Sequence, residues 1–322
     1  MLKTTAINTP LPSEVCVKDT IIDGKTVTLD YTRINGQMYF ITRGPVRVMR
    51  LDDEWYNDVN DPPSVVQAVT ESNLQVDIFT FWQRLPDIEP RYSYHTEWDS
   101  IAAMRIVSYD NWFNEQISSR TRNLIRKGMK EGISAIETQY DDTFVRGMTE
   151  IFNETPVRQG RQFWHYGKDF ETIKKQFSRF LFRERLIAAY YQGQMVGFIM
   201  LGNANNYGVT GQIISKISQR DKRTNNILIA KAVELCAREG LPYLVYLYWT
   251  DDSLSEFKRR CGFNEIKIPR YFVPMTAKGQ LALRLGIHRG WKQAVPKQIR
   301  TSLKTLRRRW YDLRGRHTKE CR

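Results

Sequence analysis

Between Asn153 and Lys168 the chain reads Asn-Glu-Thr-Pro-Val-Arg-Gln-Gly-Arg-Gln-Phe-Trp-His-Tyr-Gly-Lys, with neither a helical nor a strand period. A carboxylate (Glu154), two guanidinium groups (Arg158, Arg161), an imidazole (His165) and the rings of Phe163, Trp164 and Tyr166 fall within it. A loop that is polar and aromatic at once has the make-up of a binding loop, so this segment is the leading candidate for holding a substrate. Packing and proton transfer are equally open to His165, which lies between two aromatic residues. Glu154 can cap a helix or pair with a neighbouring arginine. A second group, Arg120, Arg122, Arg126, Lys127 and Lys130, lies along one helical stretch and reads first as a solvated basic face, then as a polyanion contact. Cys16, Cys236, Cys261 and Cys321 are far apart, and the four histidines are equally dispersed, so neither a zinc site nor a redox dithiol is expected.

The rest of the composition limits what these residues can serve. A chain of 322 residues, 41% apolar, holds one large domain or two modest ones with an ordinary core. The longest apolar run, Leu241 to Trp249, contains a proline and is far short of the roughly 18 to 20 residues that span a bilayer. The start, Met-Leu-Lys followed by polar residues, lacks the apolar core of a secretion signal, so a folded protein of the cytoplasm is expected. Charge is uneven: residues 1–274 carry 35 Lys/Arg against 33 Asp/Glu, whereas 275–322 carry 14 against 2. The basic excess belongs to the tail, and the body of the chain is balanced.

Stepping along the chain, Thr26 to Arg33 and Gln37 to Arg43 alternate around Asn35-Gly36 and predict a hairpin. A strand at 46–51, a helix opened by Pro62 and Pro63, and strands at 75–82 and 101–106 follow. Asp110 is expected to cap a long helix running to Gly132, then come a strand at 133–137 and a helix over 142–153. After the binding loop, the pattern predicts a helix over 170–184, a hairpin turning at Gln192-Gly193, and a strand over 208–217. A polar loop at 218–225, a helix over 226–239 ending at Gly240, a strand over 243–249, a short helix over 252–260 and strands at 263–268 and 271–275 complete the body. In the tail Leu281, Leu285 and His288, then Ile299, Leu303, Leu306, Trp310 and Leu313, fall in helical steps. Lys297, Arg300, Lys304, Arg307, Arg308 and Arg314 lie largely off that stripe. Such a helix docks on the protein's own core or a second subunit, or rests on an anionic membrane or reaches RNA, the membrane slightly ahead.

The order of hairpin, strand, polar loop, helix, strand, short helix and final strand over about residues 185–275 resembles the core of the GNAT (acyl-CoA N-acyltransferase) superfamily. Counting back from Gly240, Arg220 falls at the arginine of that family's Arg/Gln-x-x-Gly-x-Gly/Ala loop, but Arg223 and Asn225 stand at its glycines. In Phe257-Lys-Arg-Arg-Cys-Gly-Phe263, Lys258 stands where many GNATs have a tyrosine acid. Upstream, Arg122-Asn-Leu-Ile-Arg-Lys-Gly-Met-Lys-Glu-Gly132 with the Glu154-Thr-Pro-Val-Arg segment is similar to the Fem-type peptidoglycan-bridge aminoacyltransferases, which have two GNAT-like halves.

The resemblance implies an α/β (α+β) fold with a mixed, mostly antiparallel sheet flanked by helices. Residues 1–110 would form a degenerate half, 111–275 a complete half and 276–322 a helical basic tail. It implies transfer of an acyl or aminoacyl group to an amine, on a cell-envelope saccharide or peptide precursor, from acyl-CoA (acetyl-CoA) or from aminoacyl-tRNA, without a metal. Donor phosphates would lie at Arg220, Lys222, Arg223, Thr224, Asn225 and Asn226, where side chains stand in for the bare backbone that glycine gives. Glu154 or His165 would act as base, with Tyr166 beside them, and Arg158, Arg161, Trp164 and Tyr248 would hold the acceptor. A degenerate, nonenzymatic adaptor that uses its tail to bind membrane or RNA is the competing reading.

Overall fold

The computed structural model describes residues 15–288 except 23, 24, 159, 180, 251 and 252, so most of the basic tail, with its second helical stretch, lies outside the described residues. An outer strand β1 (Cys16–Ile22), not evident from the sequence, pairs with β2 (Lys25–Ile34), which turns through Asn35 (φ 50°) and Gly36 (φ 78°) into β3 (Gln37–Thr42). Those positive φ values are why Asn-Gly reads as a turn. Strand β4 (Val48–Leu51) precedes helix α1 (Pro62–Thr70), whose first turn is capped by the Asp61 carboxylate accepting from the Ser64 amide. Strands β5 (Ile78–Trp82) and β6 (His95–Arg105) follow.

The long helix expected from Asp110 is broken. A short turn α2 (Tyr109–Asn111) runs into a π-helical stretch, Trp112–Gln116, the chain becomes extended at Ile117, and α3 (Ser119–Lys130) starts afresh. The caps are Ser108 and Ser118, whose hydroxyls accept from Asn111 and Thr121 amides. Buried Trp112 sets the break, its indole N–H donating to the Cys261 carbonyl at 2.9 Å.

Strand β7 (Ser134–Thr138), α4 (Asp142–Asn153), the two-residue strands β8 (Val157–Arg158) and β9 (Arg161–Gln162), and α5 (Phe170–Phe177) lead to β10 (Glu184–Tyr191). The last helix stops seven residues before the expected end, at Phe177 rather than Glu184, because Glu184 already belongs to the sheet. Then come β11 (Gln194–Asn203), β12 (Gly208–Ser215), a 3-10 stretch over Ile217–Lys222, α6 (Thr224–Arg238), β13 (Tyr243–Tyr248), α7 (Ser253–Arg260), β14 (Asn264–Pro274) and α8 (Ala277–Arg284). The two strands expected after Gly262 are one. Pro269 sits inside β14, and the strand continues through it beside both β5 and β6.

Across the main sheet the order is β1, β2, β3, β4, β5, β14, β6, β13, β12, β11, β10, β7. Without the two outermost strands it reads the same from either end. Each wing is an antiparallel meander, then a parallel crossover, β4 to β5 through α1 or β12 to β13 through α6. The strand that follows each crossover is exchanged: β6 pairs with β13, and β14 with β5. The wing built on α1 is the reduced one, with a nine-residue crossover helix against fifteen in α6. Alternation along the strands sorts the helices. Ala102 and Met104 pack under α6, and Tyr271 and Val273 under α1, whereas Ile101, Ala103 and Ile268 face the opposite side with the residues under α4, α5 and α8. Both crossover helices thus share one face, and the other is open at its centre to the turn that follows β4. Among the described residues no helix is long and apolar enough to cross a membrane.

Candidate active site

Parallel strands β12 and β13 stay together for two residue pairs only, Gly208 with Leu244 and Val209 with Val245. Up to that point the sheet is sealed: Val209, Thr210, Leu244 and Val245 are at most 1% exposed. Beyond it Gly211 and Tyr248 are exposed, and Gln212, Ile213 and Leu247 half-buried, in the middle of a wide sheet. Both strands are also bent here. Gly211 is the extra residue of a bulge against Met200 and Leu201, and β13 shifts register between Val245 and Tyr248 with Leu247 at φ 47°. The result is a cleft between parting strands.

Lysine, where the family motif has tyrosine, maintains the β13 side of this cleft. Lys258 is 2% exposed, and its ammonium donates to the carbonyls of Tyr246 at 2.8 Å and Tyr248 at 2.6 Å while lying over the Tyr246 ring. Carbonyls past the last residue of β13 paired with β12 therefore have a side-chain donor.

At the end of β12 the chain enters the 3-10 stretch and then α6. Arg223, at the first glycine position of the motif, takes the left-handed backbone that glycine would supply, φ 63° and ψ 27°. Among the described residues no side chain caps α6; the Asn226 and Ile227 amides donate to the Arg223 carbonyl at 2.9 and 3.3 Å, and the amides before them are left for another partner. Arg220 is exposed; Lys222 is half-buried, over the Tyr191 ring and 3.8 Å from Asp221. Asn225 has a buried Oδ1 with no hydrogen-bond partner among the described residues. Thr224 and Asn226 are already engaged: the threonine methyl packs against Gly197 and its hydroxyl donates to the Gln219 carbonyl at 3.4 Å, and the Asn226 amide meets Cys261 Sγ at 3.8 Å. Gly128 of α3 lies so close to this turn that an added Cβ would stand 2.5 Å from the Lys222 carbonyl. Arg126, Lys127 and Lys130 of the same helix are exposed.

The structure joins Glu154 and Arg158 to this loop, and among the described residues neither hydrogen-bonds His165. Glu154 accepts from the Ile217 amide at 2.5 Å and from the Ser218 amide and hydroxyl at 2.9 and 2.7 Å, with Arg158 at 3.2 Å. Burial pushes its carboxyl up, but the Ser218 and Ile217 donors and Arg158 outweigh it and hold it below the ordinary range. A carboxylate so engaged is a clamp on the start of the loop and a weak base. Arg158 is spent on the Ser215 and Ile151 carbonyls at 2.8 and 2.7 Å. His165 is 1% exposed, stacked on Phe152 at 4.3 Å, with both ring nitrogens lacking partners among the described residues. Burial, and secondarily Lys168, depress it to about 3, so the ring is neutral. Trp164 and Tyr166 face outward, the first beneath the Lys168 ammonium at 4.4 Å. Of Arg161, only the strand pairing with Arg158 is described.

Tyr248, on the far wall of the cleft, packs edge-on to Trp55 at 5.2 Å. Burial raises its phenol to about 12, although the ring has an exposed side, because the hydroxyl end points among Arg270, Glu54, Asp99 and Arg50. That ion cluster carried no signal in the sequence, since its members come from three separate segments. Arg270 donates to Asp99 at 2.6 Å and to Glu54 at 3.1 Å and lies over Trp82, whose indole N–H donates to Asp99 at 2.6 Å. A second unforeseen pair lies over the bulge, where the Tyr56 hydroxyl donates to Glu184 at 2.8 Å. Among the described residues no group of three or more His, Cys, Asp and Glu side chains is arranged to hold a metal.

No protein-family model and no curated protein matches the sequence. Among solved structures, the C-terminal domain of a putative lysylphosphatidylglycerol synthetase from Agrobacterium fabrum is similar over 83% of this chain and 87% of its own, at 12% identity and a TM-score of 0.52. FemX covers 85% of this chain and 91% of its own at 10% identity and a TM-score of 0.48. A tandem GNAT protein from the clavulanic acid biosynthesis pathway covers 82% and 85% at 11% identity and a TM-score of 0.42. At such identities the likeness concerns architecture alone: over most of its length this chain shares the fold of the putative lysylphosphatidylglycerol synthetase domain, a mixed, mostly antiparallel sheet flanked by helices.

Proposed function

We propose that the chain is an N-acyltransferase that moves an acyl or aminoacyl group from an activated donor to an amine. The observation that carries this reading is the cleft beyond Val209 and Val245, with an exposed bulge at Gly211, at the end of the strand that leads into an uncapped helix. Acyl transfer needs a polarised carbonyl, and backbone amides at a parted, bulged strand are suited to meet one. Donor phosphates would lie against the start of α6, held by Arg220, Lys222, Arg223 and the side-chain N–H donors of Asn225, with Thr224 and Asn226 shaping the turn. Tyr248, Trp164 and the arginine loop, Arg158 and Arg161, would border the acceptor, with Tyr166 at its rim. Glu154 supports the loop in this scheme, and His165 the packing beneath it.

Two donors fit the charge. Acyl-CoA, acetyl-CoA included, needs only the loop cations, whereas an aminoacyl-tRNA would also use exposed Arg120, Arg126, Lys127 and Lys130 on α3. The Agrobacterium relative is named for attaching lysine to phosphatidylglycerol. An acceptor at a lipid surface, or a saccharide or peptide precursor of the cell envelope, suits a cytoplasmic protein whose basic tail rests on an anionic membrane; RNA contact by the tail is the lesser alternative. A nonenzymatic adaptor would need the cleft to be idle.

Thermal unfolding of the full chain with acetyl-CoA, longer acyl-CoAs and charged tRNA tests this. A true donor at 100 times its dissociation constant stabilises the fold by about 2.7 kcal/mol. The shift should shrink in Arg220→Ala. Absence of any responder, or a shift indifferent to Arg220, rules the transferase out.

A further inference from the structure

Tyr56 reaches the sheet only because two residues beneath it lack side chains. A Cβ at Gly202 would stand 2.2 Å from Tyr56 Cε1, and one at Gly211 would stand 3.3 Å from its hydroxyl and 3.6 Å from Glu184 Oε1. The ring therefore lies flat across β11 and β12 and delivers its hydroxyl, and the carboxyl bound to it, to the edge of the exposed bulge. Tyr56 is 6% exposed, and Glu184 half-buried. Of the two carboxyl oxygens, Oε1 accepts from Tyr56 at 2.8 Å; Oε2 is sealed from water and has no hydrogen-bond partner among the described residues. Such an oxygen is rare, since buried acceptors are nearly always met by a donor. The charged groups around it do not fill the role. Arg183 turns away to the Tyr56 carbonyl and the Asn57 amide oxygen at 3.1 and 2.8 Å, Arg185 to Glu239 at 3.0 Å, and Tyr140 donates to the Lys174 carbonyl at 2.8 Å.

We propose that Glu184, positioned by Tyr56 over Gly211, is the seat of the acceptor's amino group: a site for a primary ammonium beside the cleft. This rests on the transfer reading above and assigns its missing base. An incoming R–NH3+ donates to the half-buried carboxylate as the side chain turns Oε2 toward the bulge, and the carboxylate takes one proton, leaving R–NH2 and a carboxylic acid. The nitrogen lone pair attacks the donor's acyl carbon; the C–N bond forms and the C–S or C–O bond to the carrier breaks. The second nitrogen proton leaves as the amide forms and neutralises the departing thiolate or alkoxide, and Glu184 returns its proton to solvent. Burial, opposed by the Tyr56 hydrogen bond, raises the Glu184 carboxyl above the ordinary range, which makes it a better proton acceptor than Glu154, whose oxygens are all engaged.

Full-length protein carrying carboxyl-13C glutamate tests the seat without knowledge of the donor, with the Glu184 signal assigned by its loss in Glu184→Gln. Adding n-butylammonium chloride should move that signal and lower its titration midpoint by about one pH unit, as a nearby cation does, whereas n-butanol should leave it in place. Tyr56→Phe should raise the midpoint, because a donor to the carboxylate is lost. A Glu184 signal indifferent to n-butylammonium overturns the proposal even if a donor binds; a donor screen without a responder overturns the transferase and leaves the carboxyl result standing. Once a donor responds, Glu184→Gln should bind it with an unchanged thermal shift but turn over about 100- to 10,000-fold more slowly, recovering as rising pH supplies free amine. A rate equal to that of the unaltered protein, or one that rising pH does not restore, overturns the proposal.

Discussion

His165 was the residue most open to two interpretations, and its surroundings give it the plainer one. A neutral ring stacked on Phe152 cannot gain a proton without unfolding or bringing in water, whereas the unfolded chain protonates near the ordinary 6.5. Its folded value lies lower, so its contribution to stability is complete above pH 6.5 and is lost as pH falls from there toward about 3. Urea unfolding should lose about 1.4 kcal/mol for each pH unit below 6.5 from this group alone. His165→Phe should flatten that slope; an unaltered slope would show that the imidazole titrates freely. Glu154 follows the opposite chemistry with a similar lesson. The chemical type of a side chain was legible in the sequence, but its partners were not. Ile217 and Ser218, which engage Glu154, stand more than sixty positions away, and nothing local advertises the contact.

At the scale of elements the sequence was most informative where a turn or cap is local. Asn35-Gly36, Gln192-Gly193 and the prolines opening α1 each act through a few adjacent atoms. It was least informative where tertiary contacts overrode a smooth period, as where Trp112 docks on Cys261 and breaks a helix, or where Pro269 is accommodated inside a strand. Absence of glycine from the loop before α6 is a case between the two. The turn keeps its left-handed geometry, and Arg223 bears the strain, about 1 kcal/mol for a side chain in that region. Arg223→Gly should therefore leave the unfolding free energy unchanged or raise it by up to about 1 kcal/mol, while weakening the stabilisation by a phosphate-bearing donor. Denaturant curves with and without ligand read both effects. A destabilised apo protein would mean that the Arg223 side chain supports the turn.

For the whole molecule, the palindromic strand order concentrates responsibility at the centre of the sheet. Arg270 of β14 ties Asp99 of β6, Trp82 of β5 and Glu54 from the turn after β4 into one buried network, so it bridges segments from both wings. Removing one member of a buried ion pair leaves its partner uncompensated. Arg270→Met should cost about 3 to 5 kcal/mol, read as a fall in the denaturant midpoint; a loss below about 1 kcal/mol would mean that water already reaches the cluster. None of this was visible as spacing, because Glu54, Trp82, Asp99 and Arg270 obey no common period.

The exchange of β6 and β14 also decides how the chain can be cut. Neither wing owns the strand that finishes its sheet, so a fragment that stops after β6 would carry a strand whose neighbours are both missing, together with a raw edge on β5. Cleaved in the segment between β6 and α3, the two pieces would be complementary in the literal sense: each holds the other's closing strand, and solubility for either would come from finding its mate.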